Sequence, residues 1–158
     1  MKIDNGVNYS VISDNISENI LDYFKEYTII KNDIKYNDLI EFLNTFNSRR
    51  IILFDVLRFF NMEQKNKILD LLKLRKINFV NVTSDMEEVL YADYLFVLNN
   101  TKVVMEGNTL GVLNNEKKLK RMGFALPFVV DLSMQLKLYG TLDNIETDMK
   151  VLVDKLWN

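Results

Sequence analysis

The chain has no cysteine and no histidine among its 158 residues. That inventory excludes disulfides, zinc–thiolate centres, imidazole bases and the Ser–His or Cys–His pairs of nucleophilic catalysis. Proline occurs only as Pro127, and the five glycines are Gly6, Gly107, Gly111, Gly123 and Gly140. From Val7 to Glu106 there is neither, so this stretch has no obvious linker and no residue that adopts a left-handed backbone cheaply. A charge excess is lacking too: 20 Lys and Arg against 22 Asp and Glu leave a net charge of -2. No basic surplus points to nucleic acid as a partner. No apolar run reaches the ~18 residues of a membrane span, and the start Met1-Lys2-Ile3-Asp4 does not read as a signal peptide. The expectation is one soluble, cytoplasmic domain whose chemistry is limited to carboxylates, lysines, hydroxyls and bound metal.

What is present is ordinary globular material, 48 % apolar and 27 % charged, long enough to bury roughly 70 % of its unfolded surface. Short apolar runs alternate with longer amphipathic stretches. Strands are predicted at Val7–Ile12, Tyr27–Ile30, Ile51–Phe54, Ile77–Val82, Tyr94–Leu98 and Lys102–Met105. The continuous run Ile51-Ile52-Leu53-Phe54 marks a strand buried on both faces. Helical spacing predicts helices over Ser17–Glu26, with Ser13 or Asp14 as cap, and over Asn37–Phe46, with Asn37 or Asp38 near its start. Further helices are predicted over Met62–Arg75 and Met86–Tyr91. A turn at Asn99-Asn100 makes the last two strands an antiparallel hairpin at one edge. From Leu113 the pattern is wholly helical, over Asn115–Met122, Phe128–Leu138 and Asp148–Trp157. The fold class is α/β, a three-layer and mostly parallel sheet with a C-terminal helical extension.

The C-terminal half carries the most specific motifs. Thr83-Ser84-Asp85-Met86-Glu87-Glu88 precedes Ala92-Asp93, Val97-Leu98-Asn99-Asn100, Lys102-Val103-Val104 and Glu106-Gly107. This order resembles the segment of ABC-type ATPases that runs from the switch strand (THDMDEA) to a terminal EG-small turn. Leu119 to Val129, Leu132-Ser133, Leu136-Lys137, Gly140 and Leu152 to Leu156 resemble the C-terminal helical extension of energy-coupling-factor transporter ATPases, the cobalt and vitamin importer subfamily. The resemblance implies a reduced P-loop NTPase core over 1–112, without the helical subdomain, and an extension over 113–158.

The same resemblance places Ile51 to Asp55 on the Walker B strand, whose Asp helps to hold Mg²⁺ in the family. From the residues alone, Asp55 reads equally as a helix cap or turn residue. The family's next residue is a glutamate that polarises water, and here it is Val56, which cannot accept a proton. The switch histidine falls on Ser84, and a Leu-Asp pair falls on Asn61-Met62. Between Walker B and that pair stand the aromatics Phe59 and Phe60, where the family has small or polar residues. Ahead of them, Ser13 to Ile20 stands in the place of the G-P-N-G-S-G-K-S phosphate loop. Such a loop turns backbone N–H groups inward, which needs glycine where φ is positive, and adds a lysine on the phosphates. This segment has no glycine, puts Asn19 in the lysine's place and Ile20 where a hydroxyl binds Mg²⁺, and adds Asp14 and Glu18. The span from Ile20 to Asp55 is too short for a glutamine loop and helical subdomain. The LSGGQ signature would fall near Lys31 to Lys35, which do not match it. The adenine-stacking strand expected before Gly6 is also missing.

The expectation is therefore a catalytically inactive relative. It would act as a scaffold or regulatory subunit, with no catalytic residue, no metal site, no cofactor (weak Mg-ATP binding left open) and Asp55 as a vestige. Its partners would be a second copy or an energy-coupling-factor ATPase-like subunit, with a membrane coupling subunit as a further one. That would place it in the cytoplasm or peripheral to the inner face of the membrane. The pairing face is expected at Leu126, Pro127, Phe128, Leu132, Leu136, Leu152, Leu156 and Trp157. Asp85, Glu87 and Glu88 read most simply as first-turn acids on a helix. Lys117, Lys118, Lys120 and Arg121 read as a solvated face or an approach to anionic lipid. Two alternatives remain: a receiver-like phospho-acceptor using Asp14, Asp55, Thr83 or Ser84, and Lys102, and a non-hydrolysing nucleotide sensor.

Overall fold

A computed structural model describes residues 4, 6–24 and 26–157. The chain divides into two compact units, Met1–Val112 and Leu113–Asn158. The first is built on strands β1 (Tyr9–Ser13), β2 (Thr28–Lys31), β3 (Arg50–Phe54), β4 (Asn78–Thr83), β5 (Tyr94–Asn99) and β6 (Lys102–Asn108). They form one sheet in the order β2-β3-β4-β1-β5-β6. All neighbours are parallel except β5 and β6. The β5–β6 hairpin turns at Asn100 and Thr101, with φ of 47° and 71°. Two successive left-handed residues give the turn whose twist matches that of the strands.

Side-chain alternation sorts the core into two layers. On one face, helix α1 (Tyr36–Thr45) and helix α2 (Met62–Leu74) bring Leu39, Leu43, Ile68 and Leu72 onto Ile51, Leu53 and Phe79. On the other, Ile20 and Phe24 pack with Tyr9, Val11, Ile52, Phe54, Val80, Val82, Phe96 and Leu98. Ile51 to Leu53 are fully buried and Phe54 nearly so, which is why that run shows no polar alternation. Each such aliphatic or aromatic side chain contributes about 1.5–3 kcal/mol by leaving water.

Two helices expected from periodicity are 3-10 turns instead, Glu18–Phe24 and Met86–Tyr91. Lys25, inside the first expectation, lies outside the described residues. The expected cap at its start is also absent: Ser13 Oγ donates to the Asn15 carbonyl at 2.9 Å and accepts from the Asn15 N–H at 3.3 Å. The hydroxyl thereby folds the loop on itself. Helix α1 has Lys35 at its N-cap with no side-chain cap bond, and Asn37 and Asp38 lie in its first turn. Helix α2 has a full capping box, with Asn61 accepting from Gln64 N at 2.9 Å and Gln64 accepting from Asn61 N at 3.1 Å. Asn61→Ala should lower the unfolding free energy by about 1 kcal/mol in urea titrations. An unchanged midpoint would mean that the box is redundant.

The second unit holds α4 (Glu116–Arg121), α5 (Phe128–Leu138) and α6 (Met149–Trp157), preceded by the short α3 (Thr109–Leu113). Gly123 and Gly140 end α4 and α5 with φ of 86° and 73°. Each donates to a carbonyl of its helix, and the next residue bonds back five residues, Phe124 to Leu119 and Thr141 to Leu136. This is the left-handed helix stop that favours glycine. Asp148 caps α6, accepting from Lys150 N at 2.7 Å and Val151 N at 3.3 Å. On α4, Lys120 pairs with Glu116 at 2.5 Å one helical turn away, so part of the basic cluster is internally balanced.

Candidate functional site

In open parallel sheets, ligands bind outside the carboxyl ends of the strands. Here that edge gathers Ser13–Asp14 from β1, Asn32 beyond β2, Asp55 beyond β3, and Ser84–Asp85 beyond β4. Asp55 is its centre. It is 8 % exposed and left-handed, with φ of 55°, a conformation that Asp tolerates better than most residues. Its N–H donates to the Val82 carbonyl at 2.8 Å, which fastens it to the neighbouring strand. Its Oδ2 accepts from Asn32 Nδ2 at 3.3 Å and pairs with Arg58 Nε at 3.3 Å. Its Oδ1 is buried with no hydrogen-bond partner.

Val56, which the resemblance sets in the place of the catalytic glutamate, is 1 % exposed inside the α1–α2 layer. Ile20, at the position of the metal-binding hydroxyl, is fully buried in the opposite layer. Asn19 and Ser84 are exposed. Glu18 is drawn to Lys31, at 2.5 Å. Asp85 caps the following 3-10 turn, accepting from Glu87 N at 2.9 Å, and its own N–H donates to Thr83 Oγ1 at 3.0 Å. Phe59 is 56 % exposed beneath the Arg58 guanidinium, 4.9 Å from the ring centroid. Phe60 packs edge-on against Tyr36 at 5.8 Å.

Among the described residues between Val7 and Glu106, the left-handed ones are Asp55, Lys76, Asn100 and Thr101. The chain does reach positive φ without glycine, but nowhere from Ser13 to Phe24. A phosphate nest turns successive N–H groups inward in αR–αL or turn conformations, and the left-handed kind is missing from Ser13 to Phe24. Asp14 and Glu18 add negative charge there, Ile20 faces the core, and Asp55 is already paired. These residues do not fit a magnesium–triphosphate group. Among the described residues, no group of three acidic side chains could hold a metal ion.

Below this edge lies a polar cluster that sequence patterning does not reveal. Lys65 Nζ of α2 meets Glu88 Oε1 at 2.8 Å, with side chains 9 % and 1 % exposed. Asn81 Nδ2 donates to Glu88 Oε2 at 3.3 Å. Beside Glu88, the Tyr91 phenol is held above its ordinary value by burial first and by the Glu88 carboxylate second. Both favour the neutral phenol, so its stabilising contribution holds below that ordinary value and fades as pH rises through the raised one. The amphipathic pattern of α2 accounts for Ile68 and Leu72 but gives no sign that Lys65 turns inward. Neither Arg58 nor Asn32 was singled out by the sequence as a partner of Asp55.

The expected pairing residues divide by exposure. Leu126, Pro127 and Leu152 are buried within the chain, Leu132 and Leu136 half-buried, and Phe128, Leu156 and Trp157 exposed. The receiver-like alternative fails on topology. A receiver-type sheet runs 2-1-3-4-5, whereas here β1 lies between β4 and β5. Lys102 opens the edge strand β6, with three strands between it and β3, beyond which Asp55 lies, and cannot assist it.

Sheet order and strand direction define an α/β protein with a mostly parallel six-stranded sheet. No family model matches the chain. It is 34 % identical over 113 residues to the energy-coupling factor transporter ATP-binding protein EcfA1 of Lactobacillus delbrueckii subsp. bulgaricus, covering 68 % of this chain and 40 % of that one. The same protein of Ureaplasma parvum is 27 % identical over 94 residues, or 60 % of this chain and 32 % of its own. That of Listeria monocytogenes is 28 % identical over 86 residues, covering 51 % and 29 %. Among solved structures, cbiO1 from Clostridium perfringens, part of the ABC transporter complex cbiONQ, is similar with a TM-score of 0.48. Identity is 13 %, over 80 % of this chain and 87 % of that one. The chain is an ABC ATPase relative, similar to the ATP-binding proteins of energy-coupling factor transporters. It spans 40 % or less of the length of these curated relatives. Among the described residues, no helix is long and apolar enough to cross a membrane.

Proposed function

We propose that the chain is a non-hydrolysing relative of these transporter ATP-binding proteins that acts as a scaffold or regulatory subunit. The observation that carries this reading is the Ser13–Phe24 segment. It has no left-handed residue, and the side chain of Ile20 is fully buried in the apolar core. Phosphoryl transfer depends on positioning and charge neutralisation around the phosphates, and this loop supplies neither. Residues 1–112 would be the reduced ATPase-like core and 113–158 the pairing extension. Purified protein given Mg-ATP should release no phosphate above a protein-free control. Steady release that disappears in Asp55→Ala would overturn the reading. A thermal shift separates it from the nucleotide sensor, since a true ligand at a hundred times its Kd adds about 2.7 kcal/mol.

Pairing would use the exposed face of the second unit. On α6, Met149, Val153, Leu156 and Trp157 lie at helical spacing along one stripe and are 39 %, 40 %, 39 % and 84 % exposed. A short helix with such a stripe gains stability by covering it. The partner would be a second copy or an ATP-binding subunit of the same kind, with a membrane coupling subunit beyond it. The pair would then sit in the cytoplasm at the inner face of the membrane. Sedimentation should show a dimer that the double substitution Leu156→Glu, Trp157→Glu dissociates by more than about ten-fold in Kd, since hot-spot aromatics exceed 1.4 kcal/mol. A protein that stays monomeric at every concentration, alone and with an energy-coupling-factor ATP-binding subunit, would remove the pairing role.

A further inference from the structure

Asp55 and Arg58 are set by the same short turn. The left-handed backbone at Asp55 swings the chain from β3 into the turn Leu57–Phe59. Val56 and Leu57, 1 % and 0 % exposed, anchor that turn in the core. The Arg58 side chain lies back over the strand end, Nε 3.3 Å from Asp55 Oδ2, with its guanidinium on the Phe59 ring. Asn32 Nδ2 donates to the same oxygen at 3.3 Å. Oδ1 is out of solvent reach and without a hydrogen-bond partner.

A carboxylate that serves a small divalent cation presents an oxygen to it beside other oxygen donors and water. Here one oxygen faces two N–H donors and the other is closed off. We propose that Arg58 is a tethered counter-cation that takes the place of a divalent metal at Asp55 and keeps the sheet edge closed to metal-bound ligands. This deepens the non-hydrolysing reading and rests on it for the purpose of the closure. A guanidinium suits the task because it stays charged at any physiological pH and bonds carboxylates in fixed geometry. Its three-residue tether holds it at an effective concentration that a dilute free ion does not match.

The test is Mn²⁺ titration at constant ionic strength, following free Mn²⁺ by electron paramagnetic resonance. The parent protein should show only weak uptake that does not depend on Asp55. Arg58→Gln and Arg58→Ala, each confirmed folded by circular dichroism, should take up Mn²⁺ at least about ten-fold more tightly than the parent, given the strength of charged hydrogen bonds. Adding Asp55→Asn should abolish that uptake, whereas Arg58→Lys, which keeps the charge, should stay closed. Asp55-dependent uptake by the parent would overturn the inference. So would folded Arg58→Gln and Arg58→Ala variants that gain nothing, or a gain that survives Asp55→Asn. Phosphate release by the parent would instead defeat the non-hydrolysing reading, so the two failures are read separately.

Discussion

Lys65→Met should destabilise the protein by about 3–5 kcal/mol, the largest effect expected of any single polar substitution here. The ammonium meets Glu88 at 2.8 Å in a site where both side chains are nearly solvent-free. Removing it leaves a buried carboxylate whose remaining support is the Asn81 amide at 3.3 Å. The pair also ties α2 to the Met86–Tyr91 turn. At this chain length each kcal/mol moves the melting temperature by about 2–4 °C, and a fall of roughly 6–20 °C is expected. The double substitution Lys65→Met, Glu88→Leu should recover much of the loss, because an apolar pair of similar size incurs no desolvation penalty. Equilibrium urea unfolding of the four species closes the cycle. A Lys65→Met midpoint within about 1 kcal/mol of the parent would show that the pair contributes little.

The second large effect tests whether the resemblance can be restored by writing its residues back. Ile20→Ser places a hydroxyl where the resemblance calls for a metal-binding one. Ile20 is fully buried, among Phe24, Val11, Val82 and Phe96. The change removes three carbons from a close-packed layer and adds a polar group that must find a partner there. The expected cost is about 3–5 kcal/mol, combining the cavity with the buried hydroxyl. Adding Asn19→Lys should leave ATP hydrolysis at background. Urea unfolding and phosphate release on the same samples decide the matter. A stable double variant that turns over ATP would show that the loop retains a latent phosphate grip.

Some of this was legible before any coordinates. Ile51 to Phe54 reads as a strand buried on both faces because the run has no polar member. The hairpin reads from Asn99-Asn100, one residue ahead of the Asn100–Thr101 turn that forms, and α5 begins at Phe128 just after the chain's only proline and ends before Gly140. These are local signals, each set within one or two turns of chain. The misreadings have one cause. The 3-10 turns Glu18–Phe24 and Met86–Tyr91 carry helical spacing of apolar residues, but each must fit between two strand ends, and a tighter coil places Ile20 and Val89 in the core. The αL conformations of Asp55 and Lys76 oppose local preference, and surrounding contacts hold them.

Sequence by itself determined the chemistry that was available: no thiol, no imidazole, no glycine to cradle phosphate, a valine after Asp55, and an alternating pattern that yields a parallel sheet. Only the tertiary structure decided how the remaining charges pair. Lys65 and Glu88 are 23 residues apart, as are Asn32 and Asp55. Parallel strands bring such residues together through long crossovers, whose geometry depends on the whole sheet order rather than on any segment's own preference. That is why the lack of glycine from Val7 to Glu106 could be read along the chain, and the contact of Asn32 with Asp55 only across it.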